Sequence, residues 1–121
     1  MMRSLWLLVG WFGVVAAFVF SLSPDTAHAP FIQHGDKLTH LASYASLMFW
    51  WAQLYIAPRQ RLALAVALIL LGIGIELLQG FTPSRQSDVI DALANSTGVL
   101  LGWLIAHRSA NLLRLLQQAR T

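Results

Sequence analysis

The sequence predicts an all-α membrane protein, an antiparallel bundle of four transmembrane helices with both termini cytoplasmic. Composition gives the first reason: 57% of the 121 residues are hydrophobic and only 11% charged, against about 25% charged in an average soluble domain. The second is the presence of four nearly uncharged stretches, Leu5 to Leu22, Leu38 to Ala57, Leu62 to Phe81 and Val89 to Ala106. At about 1.5 Å per residue each can cross a hydrocarbon layer of about 30 Å. The third is the punctuation between them, Ser23-Pro24, Ala57-Pro58-Arg59 and Thr82-Pro83-Ser84, which breaks helices. With no long linker, residues 1–121 read as a single domain.

The first stretch also has features of a secretory signal, since Met1-Met2-Arg3 precedes it and Ala27-His28-Ala29 resembles a cleavage site. It exceeds the usual 7 to 15 apolar residues of such signals, and Pro30 follows the would-be cut, so a retained helix is the better reading. The short loops after the second and third stretches make consecutive helices antiparallel neighbours. If the helices alternate, Arg3, Arg59, Arg61, Arg108, Arg114 and Arg120 share one side, and only Lys37 and Arg85 lie opposite. The positive-inside rule then sets the first side in the cytoplasm. Residues 107–121 alternate leucines with arginines and glutamines, which suits an extension of the last helix or an interfacial tail able to meet anionic lipid. The net charge of +3 is scattered beside apolar runs and does not form a nucleic-acid footprint. No cysteine is present, which removes disulfides and thiolate metal sites.

At ~100° per residue, Lys37, His40 and Tyr44 fall within about 60° on the second helix, as do Gly72, Glu76 and Gln79 on the third. On the fourth, Asp88, Asp91, Asn95, Gly98 and Gly102 fall within about 80°. An ionised group near the bilayer centre costs at least ~2.5 to 3.5 kcal/mol, so these stripes are expected to face one another at the outward end. Gly98 and Gly102 form a small-xxx-small groove for a neighbouring helix, and Gly72 allows close approach on the third.

Lys37 and Arg85 face four acids, Asp36, Glu76, Asp88 and Asp91. A dry cluster with that excess either keeps a carboxylate protonated or takes up a cation, and Glu76, inside its helix, is the candidate for the proton. Plainer roles compete. Asp36 and Asp88 stand where helix N-caps stand, with Asp91 three residues after Asp88 as in a capping box. His40 alone reads as a hydrogen-bonded helix residue and Tyr44 as an interfacial aromatic. Trp50, Trp51 and Trp103 are expected in an aromatic belt, and His28, His34 and His107 are isolated.

The ordered set Asp36-Lys37-x-x-His40-x-x-x-Tyr44, Glu76-x-x-Gln79 and Arg85-x-x-Asp88-x-x-Asp91-x-x-x-Asn95-x-x-Gly98-x-x-x-Gly102 resembles the VanZ-like family of bacterial membrane proteins. The likeness covers roughly residues 36–106 and departs at Pro83-Ser84-Arg85, where the family often has glycine before the arginine. It implies a cell-envelope role, the family being named for a protein associated with teicoplanin resistance. On this reading the outward pocket recognises a lipid-linked cell-wall precursor or an amphiphilic antibiotic such as a glycopeptide. Lys37 and Arg85 would contact anionic groups, and Glu76, Gln79, Asp91 and Asn95 would orient them, with His40, Tyr44 and Asp88 completing the ligand-binding set. Membrane lipid is the other expected partner; no nucleic acid, cofactor or metal is expected. The alternatives are an intramembrane enzyme with Glu76 and Asp91 as acid and base, a polar cluster that only fixes helix register, and a cation site of Glu76, Asp91 and His40.

Overall fold

The computed structural model describes residues 1–22, 35–81 and 88–121, with the side chains of Gly35 and Asp36 outside the description. The described residues form five helices and no strand: α1 (Met2–Leu22), α2 (Gly35–Leu54), α3 (Pro58–Gln79), α4 (Val89–Arg108) and α5 (Leu112–Gln118). α1, α3 and the stretch beginning at Val89 are long and apolar enough to cross a membrane. α2 has 20 residues but carries Asp36, Lys37, His40 and Gln53, which lower its hydropathy. Its position compensates for this. Among the described residues α2 contacts each of the other four helices, so the most polar of the long helices is also the most enclosed. The exposed side chains of the others are apolar, with Phe12 and Val15 on α1, Leu70 and Leu77 on α3 and Leu100 and Leu104 on α4, as a hydrocarbon solvent requires.

Several helix boundaries differ from the expectation. α2 starts and ends three residues earlier than Leu38–Ala57, and α3 begins at Pro58 instead of Leu62. The residue before a proline avoids the helical region, and Ala57 is extended at φ −61° and ψ 139°. Proline itself suits the first helical position, where its missing N–H has no intrahelical partner. Tyr55 to Ala57 therefore become the turn, and the Gln60 side chain accepts the Ala57 N–H at 3.3 Å.

α2 and α4 share the largest helix contact, and its cause is steric. A Cβ on Gly98 would collide with the Leu41 carbonyl, and one on Gly102 with the Ala45 carbonyl. The expected small-residue groove thus admits the backbone of α2 itself. Tyr44, Leu47, Met48 and Ala52 of α2 complete a core with Ala65 and Leu68 of α3 and Val99 and Ala106 of α4.

At the end of the bundle where α2 stops, every one of its last four carbonyls, which a helix leaves without an intrahelical donor, has a partner. Trp51 O accepts from Tyr55 N at 3.3 Å, Ala52 O from Arg61 at 2.9 Å, Gln53 O from Asn111 at 3.0 Å and Leu54 O from Arg3 at 3.3 Å. Arg61 reaches Tyr55 O as well, at 3.1 Å, and is buried. Two arginines expected only as topology signals therefore cap a helix, where cations also complement the helix dipole.

The tryptophans at this end also have partners within the bundle. Trp50 stacks on Trp6 with centroids 3.9 Å apart, and each indole N–H donates to the other residue's carbonyl, at 3.2 and 2.8 Å. Trp51 is buried, with Trp11 edge-on at 5.4 Å. Gly10 makes this possible, since a Cβ there would stand 2.9 Å from the Trp51 ring. The tail does not continue α4 but forms a short helix packed against α1 and α2. Asn111 caps α5 by accepting Arg114 N at 2.9 Å, Gln53 Oε1 accepts Leu112 N at 2.8 Å, and Leu113 is buried with Trp6, Trp51 and Leu54.

Gly98→Ala should lower stability in detergent by about 1–3 kcal/mol, the usual cost of forcing volume into a packed contact. Gly74→Ala, whose Cβ meets nothing within 4 Å, should be neutral or gain up to about 1 kcal/mol; equal effects would refute the close-approach argument. Arg61→Met should cost about 1.5–3 kcal/mol, the range for hydrogen bonds to charged groups, with Arg59→Gln, at an exposed position, within about 0.5 kcal/mol of wild type. Chemical unfolding followed by tryptophan fluorescence reads both pairs.

Candidate functional site

At the opposite end, α4 opens with an extended Asp88 at φ −133° and ψ 118°, the geometry of an N-cap. Its Oδ1 accepts Ile90 N at 2.9 Å. In a capping box the acid at the third helical position, here Asp91, would take the cap residue's own N–H. Glu76 of α3 does so instead, its Oε1 accepting from Asp88 N. That exchange frees Asp91 for a different partner. Lys37 of α2 lies 3.1 Å from Asp91 Oδ1 and 3.2 Å from Asp88 Oδ2, so one ammonium links the first turns of two helices.

One turn deeper, His40 Nδ1 and Asn95 Oδ1 are 3.0 Å apart and buried. An amide oxygen can only accept, so the proton of this bond sits on Nδ1. Tyr44, a turn below His40, and Asn95 both border Gly72, where a Cβ would meet Asn95 at 3.2 Å and the Tyr44 ring at 3.4 Å. The glycine thus admits α3 to the seam between α2 and α4, which brings Glu76 to the cap of α4. Two atoms remain buried without a hydrogen-bond partner at this end among the described residues, Tyr44 Oη and Glu76 Oε2. Since unpaired buried polar atoms are costly, they mark where a polar group from outside the chain would gain most.

Of the residues singled out from the sequence, Lys37, His40, Tyr44, Glu76, Asp88, Asp91 and Asn95 come together around this seam. Gly72, Gly98 and Gly102 form its close contacts. The Gln79 amide donates to the Ser21 carbonyl at the end of α1. Arg85 lies outside the described residues, as does the side chain of Asp36, whose backbone falls within the first turn of α2 instead of preceding it. Among the described residues no group of three or more His, Asp or Glu side chains is placed to hold a metal ion. The role of Gly10 and Gly13 in receiving α2 was missed, although two small residues three apart on one face of α1 are a readable signal.

The profile of the VanZ/LLP1 family matches residues 4–114, nearly the whole chain. The chain belongs to the VanZ/LLP1 family. The match takes in α1 and the start of α5, beyond the stretch on which the resemblance was read. No curated protein and no solved structure shows a detectable match. In this VanZ/LLP1 protein the three converging stripes therefore stand inside the region that defines the family.

The Asp88 carboxyl, outside the helical spans, is held below its ordinary value of 3.8, first by the Ile90 N–H and then by the Lys37 ammonium. A depressed carboxylate contributes its full stabilisation above the ordinary value and loses it as pH falls from there through the lowered folded value. Asp88→Asn should flatten the acid limb of the stability profile below about pH 4, and a limb as steep as wild type's would contradict this. Lys37→Met removes the ammonium shared by Asp88 and by Asp91, whose side chain is 12% exposed. It should cost about 1–3 kcal/mol at neutral pH, measured by the same unfolding.

Proposed function

We propose that this VanZ/LLP1 protein is a four-span antiparallel bundle in a bacterial inner membrane, with both termini cytoplasmic and the Lys37 end facing outward, where it recognises the polar head of a lipid-linked envelope intermediate or an amphiphilic antibiotic. The observation that carries this is the meeting of Lys37, His40, Tyr44, Glu76, Asp88, Asp91 and Asn95 from three helices at one end of an apolar bundle. Arg3, Arg61 and Asn111 meet at the other end around the C-terminus of α2, which supports the orientation by the positive-inside rule. The envelope role is what the VanZ-like resemblance implies. In the outward cluster, Lys37 supplies charge to an anionic group, while Tyr44 Oη and Glu76 Oε2 supply hydrogen-bonding capacity that the fold leaves unused. Exclusion of water at this depth strengthens each contact.

A second reading, in which the cluster only fixes helix register, draws on the fact that Lys37 and His40 already have partners within the chain. Binding of a polyprenyl diphosphate and of a lipoglycopeptide to protein in nanodiscs separates the two. Recognition predicts a loss of at least tenfold in affinity for Lys37→Ala, Asp91→Asn or Glu76→Gln, at temperatures where each variant remains folded. Wild-type affinity in all three would leave the register role alone.

A further inference from the structure

Between α1 and α2 runs a groove of about 760 Å³, within the range of small-molecule sites. It reaches from Val9 to Ser21 on α1 and from Thr39 to Trp50 on α2. Twelve residues of helix at ~1.5 Å each make it about 18 Å long, close to one leaflet of a hydrocarbon layer of about 30 Å. Among the described residues its lining contains no Asp, Glu, Lys or Arg. The lining is also graded: Ser21, Thr39 and His40 stand toward the Lys37 end, whereas Gly13, Leu47 and Trp50 line the deeper part. Ser46 in the deeper part returns its hydroxyl to the Ala42 carbonyl at 2.7 Å, so it presents little polarity to the groove.

The groove is held open by its two ends. The Trp6 and Trp50 stack fixes one end of α1 against α2, and the Gln79 amide on the Ser21 carbonyl fixes the other to α3. Between those ties the facing residues Ala16, Ala17 and Ala42 are too small to fill the space. His40 and Tyr44 belong both to this groove and to the polar seam, so the two are continuous.

We infer that the groove seats one hydrocarbon chain of a membrane amphipath, which enters sideways from the leaflet at the Lys37 end and presents its head group to the polar seam at His40 and Tyr44. The occupant is uncharged along its length and polar at one end, matching the grading of the lining. This rests on the reading of the seam as a head-group site and adds to it the chain and the path by which the ligand arrives.

The test uses the full chain in nanodiscs containing phosphatidylcholine with a diazirine midway along one acyl chain, irradiated and mapped by mass spectrometry. Adducts should concentrate at residues 16–20 and 39–46, fall at least fivefold in Ala42→Phe, which fills the groove, and stay unchanged in Leu70→Phe on the exposed face of α3. A milder filling variant, Ala42→Leu, should give an intermediate loss and guards against misfolding of the first. Adducts spread evenly over the exposed faces of α1, α3 and α4, adducts indifferent to filling, or a cross-linked second copy in place of lipid would each overturn the inference. Repeating the labelling with a diazirine-bearing polyprenyl diphosphate in Lys37→Ala and Asp91→Asn separates the two readings. Groove adducts that persist while affinity ignores these substitutions leave the chain site standing and remove the head-group site; affinity that drops while adducts are evenly spread removes the groove alone.

Discussion

Hydrocarbon supplies no hydrogen bonds, so each polar group carried into it needs a partner within the protein, and in this chain the partner is usually on the helix that packs closest. The contact between α2 and α4 meets that need. Because Gly98 and Gly102 lack a Cβ, the backbone of α2 lies against that of α4 at Leu41 and Ala45. Only at such a separation do Lys37 with Asp91 and His40 with Asn95 fall within 3.1 Å. Wider spacing would leave a lysine, a histidine, two aspartates and an asparagine facing lipid or one another without contact, each at a cost of kilocalories. The glycines thus set the separation, and the polar pairs fill it.

Helix ends supply the second half of the architecture. A helix has four unmet donors at its start and four unmet acceptors at its finish, and a membrane interface is a poor place to leave them. At the finish of α2 the chain recruits two arginines, an asparagine and a following amide from elsewhere. At the start of α4 it uses Asp88 for one donor and Glu76 for another. Placing Glu76, and not Asp91, on the Asp88 amide has a consequence beyond capping. It ties α3 to α4 and leaves Asp91 for Lys37, so two helix starts and the end of a third meet at one spot.

Much of this was legible in the residues. The stripes of Lys37, His40 and Tyr44 and of Asp91, Asn95, Gly98 and Gly102 follow from a 3.6-residue period, because a helix in lipid keeps that period from end to end. What the sequence did not reveal involves groups with no side-chain signature. The carbonyls of Ser21, Ala52 and Leu54 are acceptors that any residue would provide, so Gln79, Arg61 and Arg3 could not be assigned to them in advance. Arg3 and Arg61 read as topology signals because positive charge at a helix end satisfies two demands at once, orientation and capping, and periodicity does not distinguish them. The three-residue shift of α2 has the same character: Pro58 marked a break, but which residues formed the turn depended on the Gln60 side chain reaching Ala57.

Among the described residues the two ends of the bundle differ in what they leave unsatisfied, and that difference supports the reading of the Lys37 end as the site. At the Arg61 end the orphan among the described residues is Trp51 Nε1, a neutral donor on a ring flanked by those of Trp11 and Tyr55. At the Lys37 end the orphans are a phenol oxygen and a carboxylate oxygen, Tyr44 Oη and Glu76 Oε2, both near the ion cluster, and Tyr44 also lines the groove between α1 and α2. Evolutionary tuning of a purely structural polar core would be expected to pair such atoms, since pairing them stabilises the fold. A phenol and a carboxylate oxygen left unmatched beside an ion cluster, in a core otherwise closed by glycine contacts, support the reading of that end as a place for a visiting polar group.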